Sequence, residues 1–228
     1  MEAGGLELDH LFIFTGAGAP AADLLVEIGL AEGTPNTHPG QGTSNRRFFF
    51  RNAMLELLWV HDEREARSSG ISPVRLWERA NYRSSGYSPF GLCFRARDRA
   101  APRRKILPSA VWKFRPPYLP PGSHIEVATE TAGSEPLVFA TPFAGRPDSY
   151  PPERRHPLEH PAGLREITGL KLTLPAAENS SEALLGLARS SIVEFETGDE
   201  HLAEVEFDRG AQGLSAHFPP ELPLCLRW

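Results

Sequence analysis

Two apolar runs each carry one side chain that could do chemistry. Leu8-Asp9-His10-Leu11-Phe12-Ile13-Phe14 holds an imidazole, and Met54-Leu55-Glu56-Leu57-Leu58-Trp59-Val60 holds a carboxylate. A hydrophobic residue would be cheaper at either place, because a buried charge must be paired, metal-bound or protonated. A His and a Glu set into separate strands are the raw material of a metal centre or an acid–base pair. The plainer alternatives are a satisfied core histidine, and a Glu56 paired with Arg46 or Arg47 across a hairpin.

The elements that must position them can be read from periodicity. Alternation puts Leu8, His10, Phe12 and Phe14 on one strand face, with Asp9, Leu11 and Ile13 on the other. Met54, Glu56, Leu58 and Val60 share a face opposite Leu55, Leu57 and Trp59. Both faces are largely apolar, so the sheet is expected to be covered on each side, one side by a helix and the other around a pocket. Pro20 to Leu30 predicts a helix through Ala21, Leu24, Leu25 and Ile28, stopped at Gly29. Glu32 to Asn45 predicts an excursion, and Arg46–Arg51 with Ala53–Val60 a hairpin turning at Asn52. Ser72 to Ala80 predicts a helix with a serine cap and Pro73 in its first turn.

Further strands are predicted over Phe90–Ala96, Val111–Phe114, Ile125–Thr129 and Leu137–Thr141. The last segment reopens as the first does, with a strand at Thr168–Leu174 and a helix at Asn179–Arg189 capped by Asn179. At an offset of 160 residues, Leu24, Leu25 and Ile28 correspond to Leu184, Leu185 and Ala188. Ile192–Thr197 and His201–Phe207 predict a hairpin, and Gly213–Phe218 and Leu222–Trp228 close the sheet.

The 228 residues are 40% hydrophobic and 23% charged, ordinary for a soluble globular chain long enough to bury a core. A net charge of −5 argues against nucleic-acid binding, and no long apolar run argues for a membrane. The basic run Arg95, Arg97, Arg99, Arg103, Arg104 and Lys105 reads as a solvated strand end and loop. Cys93 and Cys225 form no CxxC pattern, which makes a reducing, cytoplasmic location the default, and Cys93 reads as a small core residue. His156-Pro157-Leu158-Glu159-His160 spells a zinc-protease pattern, but its prolines oppose the helix that chemistry needs. Gly40 and Gly42 allow tight turns between His38 and Asn45, where Thr43 and Asn45 offer hydrogen bonds to a ligand or to the loop itself.

The run Leu8-Asp9-His10-Leu11-Phe12-Ile13, the helix after it, His38 to Arg46 and Leu55-Glu56-Leu57-Leu58 together resemble a glyoxalase-like domain of the vicinal oxygen chelate superfamily. The resemblance implies an α+β fold of βαβββ modules forming a curled, mostly antiparallel cup-shaped sheet with outer helices. One such domain would span residues 1–228, with 6–60 the first module, 90–143 a strand-rich middle segment and 164–228 a C-terminal module. It implies His10 and Glu56 as ligands of a divalent zinc, manganese, nickel or iron ion, with Glu56 doubling as a catalytic base. His38, Thr43, Asn45, Phe12 and Trp59 would then contact a small oxygen-rich metabolite.

The ligand set is incomplete. Applied to the last segment, the offset puts Leu170 in place of His10 and Ala216 in place of Glu56, with His217 one step away and usable only across a bulge. The middle segment offers His124 and Glu126 on one face of a strand, which is also readable as exposed surface. Two functions follow as expectations: metal-assisted lyase, isomerase or dioxygenase chemistry, or metal-free binding of a small molecule. A homodimer is compatible with either.

Overall fold

The computed structural model describes residues 5–97, 106–129, 131–175 and 180–228. It is a sheet-dominated α+β structure with short helices. Asn179 and the basic residues Arg99, Arg103, Arg104 and Lys105 lie outside the described residues.

The first half runs strand, helix, three strands: β1 Leu6–Phe14, α1 Ala22–Glu27, β2 Asn36–His38, β3 Thr43–Phe49 and β4 Met54–Val60. Three short helices follow, α2 Glu63–Ala66, α3 Leu76–Ala80 and α4 Tyr82–Ser85. The middle segment supplies β5 Phe90–Ala96, β6 Val111–Phe114, β7 Ile125–Ala128 and β8 Leu137–Ala140. These eight strands form one sheet in the order β2-β3-β4-β1-β5-β8-β7-β6. Antiparallel β1 and β5 make its central seam, and each pairs in parallel with the last strand of its own half. Counted outward from the seam, both halves therefore have the same strand order.

The C-terminal segment builds a second sheet from β9 Ile167–Leu174, β10 Glu194–Thr197, β11 Leu202–Phe207, β12 Ser215–His217 and β13 Leu224–Arg227, in the order β10-β9-β11-β13-β12. The predicted hairpin of the Ile192 and His201 strands does not form. β10 and β11 flank β9, because α5 (Glu182–Arg189) carries the chain across and returns β10 parallel to β9. The cap of α5 is Ser181, whose hydroxyl accepts from the Leu184 amide. Helix registers do not match at the 160-residue offset either, since Leu25 is fully buried while Leu185 is exposed.

A large core lies between the sheets. Leu11, Ile13, Leu55, Leu57, Leu92 and Phe94 meet Leu172, Val205, Phe207, Leu224 and Leu226 there, with Leu25 and Leu187 from the helices. Truncating one such buried phenylalanine costs about 3–5 kcal/mol. Asn52 does more than turn the β3–β4 hairpin. Its amide donates to Ile167 O at 2.7 Å and accepts from Ile167 N at 2.9 Å, docking the hairpin on the second sheet.

Two local departures from the sequence reading shape the site. Asn36–His38 and Thr43–Phe49 pair as an antiparallel ribbon, so much of the predicted excursion is strand. Gly40 and Gly42 turn it at φ +78° and +75°, and a β-carbon on Gly42 would meet Asp62 O at 2.2 Å. The Ser72–Ala80 helix is broken at Arg75, which is left-handed at φ +56°, so that a 3-10 turn at Ser72–Val74 precedes α3. Among the described residues no helix is long and apolar enough to cross a membrane.

Candidate functional site

The other face of the eight-stranded sheet holds a cavity of about 490 Å³. Its wall from the first half is polar, with Asp9, His10, His38, Gln41, Asn45, Arg47 and Glu56. Its wall from the second half is mostly apolar, with Phe114, Ile125, Val127, Leu137 and Phe139 beside Tyr118 and Thr141, and Val74 and Leu76 flank it on either side of the break at Arg75.

A register shift in β1 explains why two adjacent residues both reach the cavity. Leu8 pairs with Phe94 but His10 pairs with Cys93, leaving Asp9 as an extra residue. Such a bulge reverses the alternation. Leu6 and Leu8 therefore pack with Leu11 and Ile13 in the inter-sheet core, while Asp9 joins His10 on the cavity side. The strict alternation that paired Leu8 with His10 and set Asp9 opposite fails at this point.

His10 is held from both sides. Its Nδ1 lies 2.7 Å from Asp9 Oδ1, and its Nε2 lies 3.6 Å from Glu56 Oε2. Burial works against a charged imidazole, but Cys93 and the Asp9 carboxylate outweigh it and hold the His10 pKa well above the usual histidine range. Asp9 is itself fixed by buried Arg95 at 3.1 Å, which also binds Glu7 at 3.0 Å and Asn52 O at 2.7 Å. Burial penalises the Asp9 carboxylate, yet His10 and Arg95 together keep its pKa below the ordinary value.

Glu56 is buried, and Asn45 Nδ2 donates to its Oε1. It pairs with neither arginine proposed for it. Arg46 turns away to Glu32 and Asp23, and Arg47 donates to Thr34 O at 2.7 and 2.9 Å. Asn45 is fixed in turn by accepting from Asn36 N at 2.8 Å.

The remaining predicted residues divide clearly. His38 lines the cavity, bonded through Nδ1 to Thr43 Oγ1 at 2.9 Å and packed on Tyr118 at 4.9 Å. Burial lowers its pKa. Thr43 is fully buried, also accepts from Gln41 Nε2 at 2.8 Å, and acts through His38 rather than at the cavity. Phe12 lines the cavity and fills the space over Gly91, where a β-carbon would meet its ring at 2.1 Å. Trp59 faces the inter-sheet core. His124 and Glu126 do share a side, 4.0 Å apart, but Ile125 and Val127 take the cavity face between and beyond them. His217 sits in the second sheet, 3.0 Å from Cys225 Sγ, away from the cavity lining. His160 braces loops instead of rimming the cavity, accepting from Ala31 N and bonding Phe49 O, each at 2.9 Å. The His156–His160 segment is not helical.

Sequence reading missed Asp9, Arg47, Arg95, Tyr118, Tyr150 and Arg154. Tyr118 lies in the proline-rich run 115–121 and Tyr150 in the run 146–152, with Arg154 just after it, and an aromatic between prolines on a rigid loop was the available signal. Nothing in one sequence marks the bulge that turns Asp9.

The second half brings Gly91, Cys93, Leu137, Phe139 and Thr141 to this side of β5 and β8, and none is an imidazole or a carboxylate. Cys93 Sγ comes within 4.8 Å of the ligating atoms of Asp9 and His10, but it is fully buried beneath them and 3.4 Å from Thr141 Oγ1. Burial raises its pKa, which disfavours the thiolate a metal would need. The donor set thus fits a divalent ion at two positions, His10 Nε2 and Glu56 Oε2. Asp9 and Asn45 orient those two side chains as outer partners orient metal ligands.

A sheet-dominated α+β chain with a half-polar, half-apolar cavity on one sheet face is the class this geometry defines. Residues 8–188 match the model of the glyoxalase-like domain, and the chain belongs to that family. No curated protein matches the sequence. A hypothetical protein from Staphylococcus aureus has a similar crystal structure at 11% identity, covering 97% of this chain and 99% of that one, with a TM-score of 0.55. That likeness concerns the fold alone. A xylose isomerase-like TIM barrel/4-hydroxyphenylpyruvate dioxygenase fusion protein aligns at 12% identity and a TM-score of 0.46, over 90% of this chain and 37% of that one.

Proposed function

We propose that the chain binds a small oxygen-rich molecule with an apolar body in this cavity. Its oxygens lie toward His10 and Glu56, and its body lies along Phe114, Val127, Leu137 and Phe139. The observation that carries this reading is the uneven lining, with the ionisable groups Asp9, His10, His38, Arg47 and Glu56 on the first half and a mostly apolar wall on the second. Cavities of this size with few convergent polar groups suit ligands of low molecular mass. In this reading residues 6–60 and 90–143 are the two modules of one curled sheet, and residues 164–228 cover its back.

The chain's own groups can orient a ligand and move a proton. Asp9 keeps the His10 ring turned so that Nε2 faces the cavity, and Asn45 leaves Glu56 Oε2 free beside it. Glu56 Oε2 can take a proton from a ligand held there, and His10 Nε2 can return one to a developing oxyanion. The Phe139 edge, 5.5 Å from the His10 ring, keeps water from that side.

A second reading is favoured by the way both side chains are oriented. In it His10 and Glu56 hold a divalent ion, which would polarise the ligand's oxygens as a Lewis acid. Thermal unfolding separates the two. The first reading expects aromatic hydroxy and keto compounds to raise the melting temperature in the presence of a chelator, and expects the paired change His10→Ala and Glu56→Ala to abolish that rise. Stabilisation by zinc, manganese, nickel or iron alone, lost with chelator, would replace it with the metal reading. No shift with any compound or ion would remove both.

A further inference from the structure

Two arginines reach the cavity, and neither has a carboxylate partner among the described residues. Arg47, on β3, spends Nε and Nη2 on Thr34 O and lies over the Phe49 ring at 5.1 Å. Its Nη1 edge is unused, and burial lowers its pKa despite the favourable field of Glu56. Arg154 comes from the proline-rich segment at the cavity mouth, with its guanidinium 5.4 Å from the Tyr150 ring that backs it.

The cavity's own acids cannot neutralise these cations. Asp9 is taken by His10 and Arg95, and Glu56 by Asn45 and His10. Arg46, Arg51 and Arg67, by contrast, each have an acid within 3.1 Å. For Arg47, which is partly buried, a guanidinium left without an anion is costly, whereas Arg154 is exposed; the planar fork of each matches a carboxylate. The wall opposite is mostly apolar, with Phe114, Val127, Leu137 and Phe139, which suits a ligand whose body is hydrocarbon or aromatic.

We infer that the ligand is a carboxylate with an apolar body, its carboxyl group bound between Arg47 and Arg154 beside the Tyr150 hydroxyl. This rests on the cavity being the binding site proposed above, and it adds the charge of the ligand and the residues that select it. Arg47 and Arg154 are then specificity determinants, distinct from the His10–Glu56 pair that faces the reacting oxygens.

Calorimetric titration of the full chain with 4-phenylbutyrate and with its neutral amide, 4-phenylbutyramide, tests this. The acid is expected to bind about ten-fold more tightly, the worth of one charge-assisted hydrogen-bonded pair. Added salt narrows that gap. Arg154→Ala, at an exposed position, removes it by weakening the acid and leaving the amide unchanged. Arg47→Lys, which keeps the charge without the fork, weakens the acid less than Arg154→Ala combined with Arg47→Ala does. Equal affinity for acid and amide in the unaltered protein would overturn the inference while leaving the cavity as a binding site. Equal weakening of both probes by Arg154→Ala would overturn it as well. Binding of neither probe would instead overturn the proposed site and this inference with it.

Discussion

The two halves of the eight-stranded sheet share a strand order and almost nothing else. Outward from the seam, the first half runs β1-β4-β3-β2 and the second β5-β8-β7-β6, each opening with a parallel pair. On the cavity side the first half carries Asp9, His10, Asn45 and Glu56, and the second carries Gly91, Cys93, Leu137 and Phe139. Backbone pairing constrains which positions face the cavity and leaves their chemistry free. One half carries the ionisable groups of the cavity, and the other forms its mostly apolar wall. The second half still serves the first through Arg95, which fixes Asp9 from across the seam, and Gly91, which makes room for Phe12.

If that division of labour is right, its ties should be measurable, and the seam should show the largest effect. Arg95→Met removes the buried cation between Glu7 and Asp9, leaving Glu7 only the exposed Arg97 and Asp9 only His10. The expected loss is about 3–5 kcal/mol in urea unfolding, the usual cost of breaking a buried pair on one side. A loss under about 1 kcal/mol, typical of an exposed pair, would mean that the halves are not coupled electrostatically. Gly91→Ala comes next. Its new β-carbon collides with the Phe12 ring, and overpacking of this kind costs about 2 kcal/mol. Phe12→Leu in the same chain should recover much of that loss, with a coupling of about 1 kcal/mol or more. Additive losses would show that Gly91 is not shaped around Phe12.

The same contrast explains how much could be read from the sequence. β1, β4 and β5 to β8 were legible because their apolar runs are strong and bounded by turn residues, and His10 and Glu56 stood out as polar exceptions within them. The family resemblance was legible from the same runs. What failed depended on one-residue geometry or on long-range pairing. The bulge at Asp9 moves a carboxylate across the sheet without any compositional mark. Placement of β10 beside β9 rather than β11 is decided by how α5 packs. The sequence left two partner halves open, the last segment, whose element order repeats the first, and the middle segment; the sheet pairs the middle one. His124 and Glu126 were read on one face correctly, but one residue of register decides which face, and Ile125 and Val127 hold the cavity side.

The smallest expected effect contrasts the electrostatics of the two halves. In the first, Cys93 and the Asp9 carboxylate outweigh burial and raise the His10 pKa. Beneath the second, a buried cation does the reverse. Arg79 donates to Ser88 O at 3.0 Å and Glu135 O at 2.9 Å, just ahead of β5 and β8, and burial pulls its own pKa down to about 10. Nearby, His201 packs edge-on to Phe90 at 5.9 Å with its Nδ1 buried and unbonded. Burial first, then the Arg79 charge, depress the His201 pKa from 6.5 to about 4. The unfolded chain therefore takes up this proton before the folded one does. Its contribution to stability is complete above pH 6.5 and is lost as pH falls toward 4. Partial exposure of the ring discounts the effect to about 1 kcal/mol at pH 5. His38, His156 and His160 are depressed too and push the same way, so the informative quantity is a difference. His201→Phe should flatten the fall in unfolding free energy between pH 7 and pH 5 by that amount relative to the unaltered chain. Parallel pH profiles for the two proteins would show that the cation beneath the second half does not reach His201, and that the electrostatic contrast ends at the cavity.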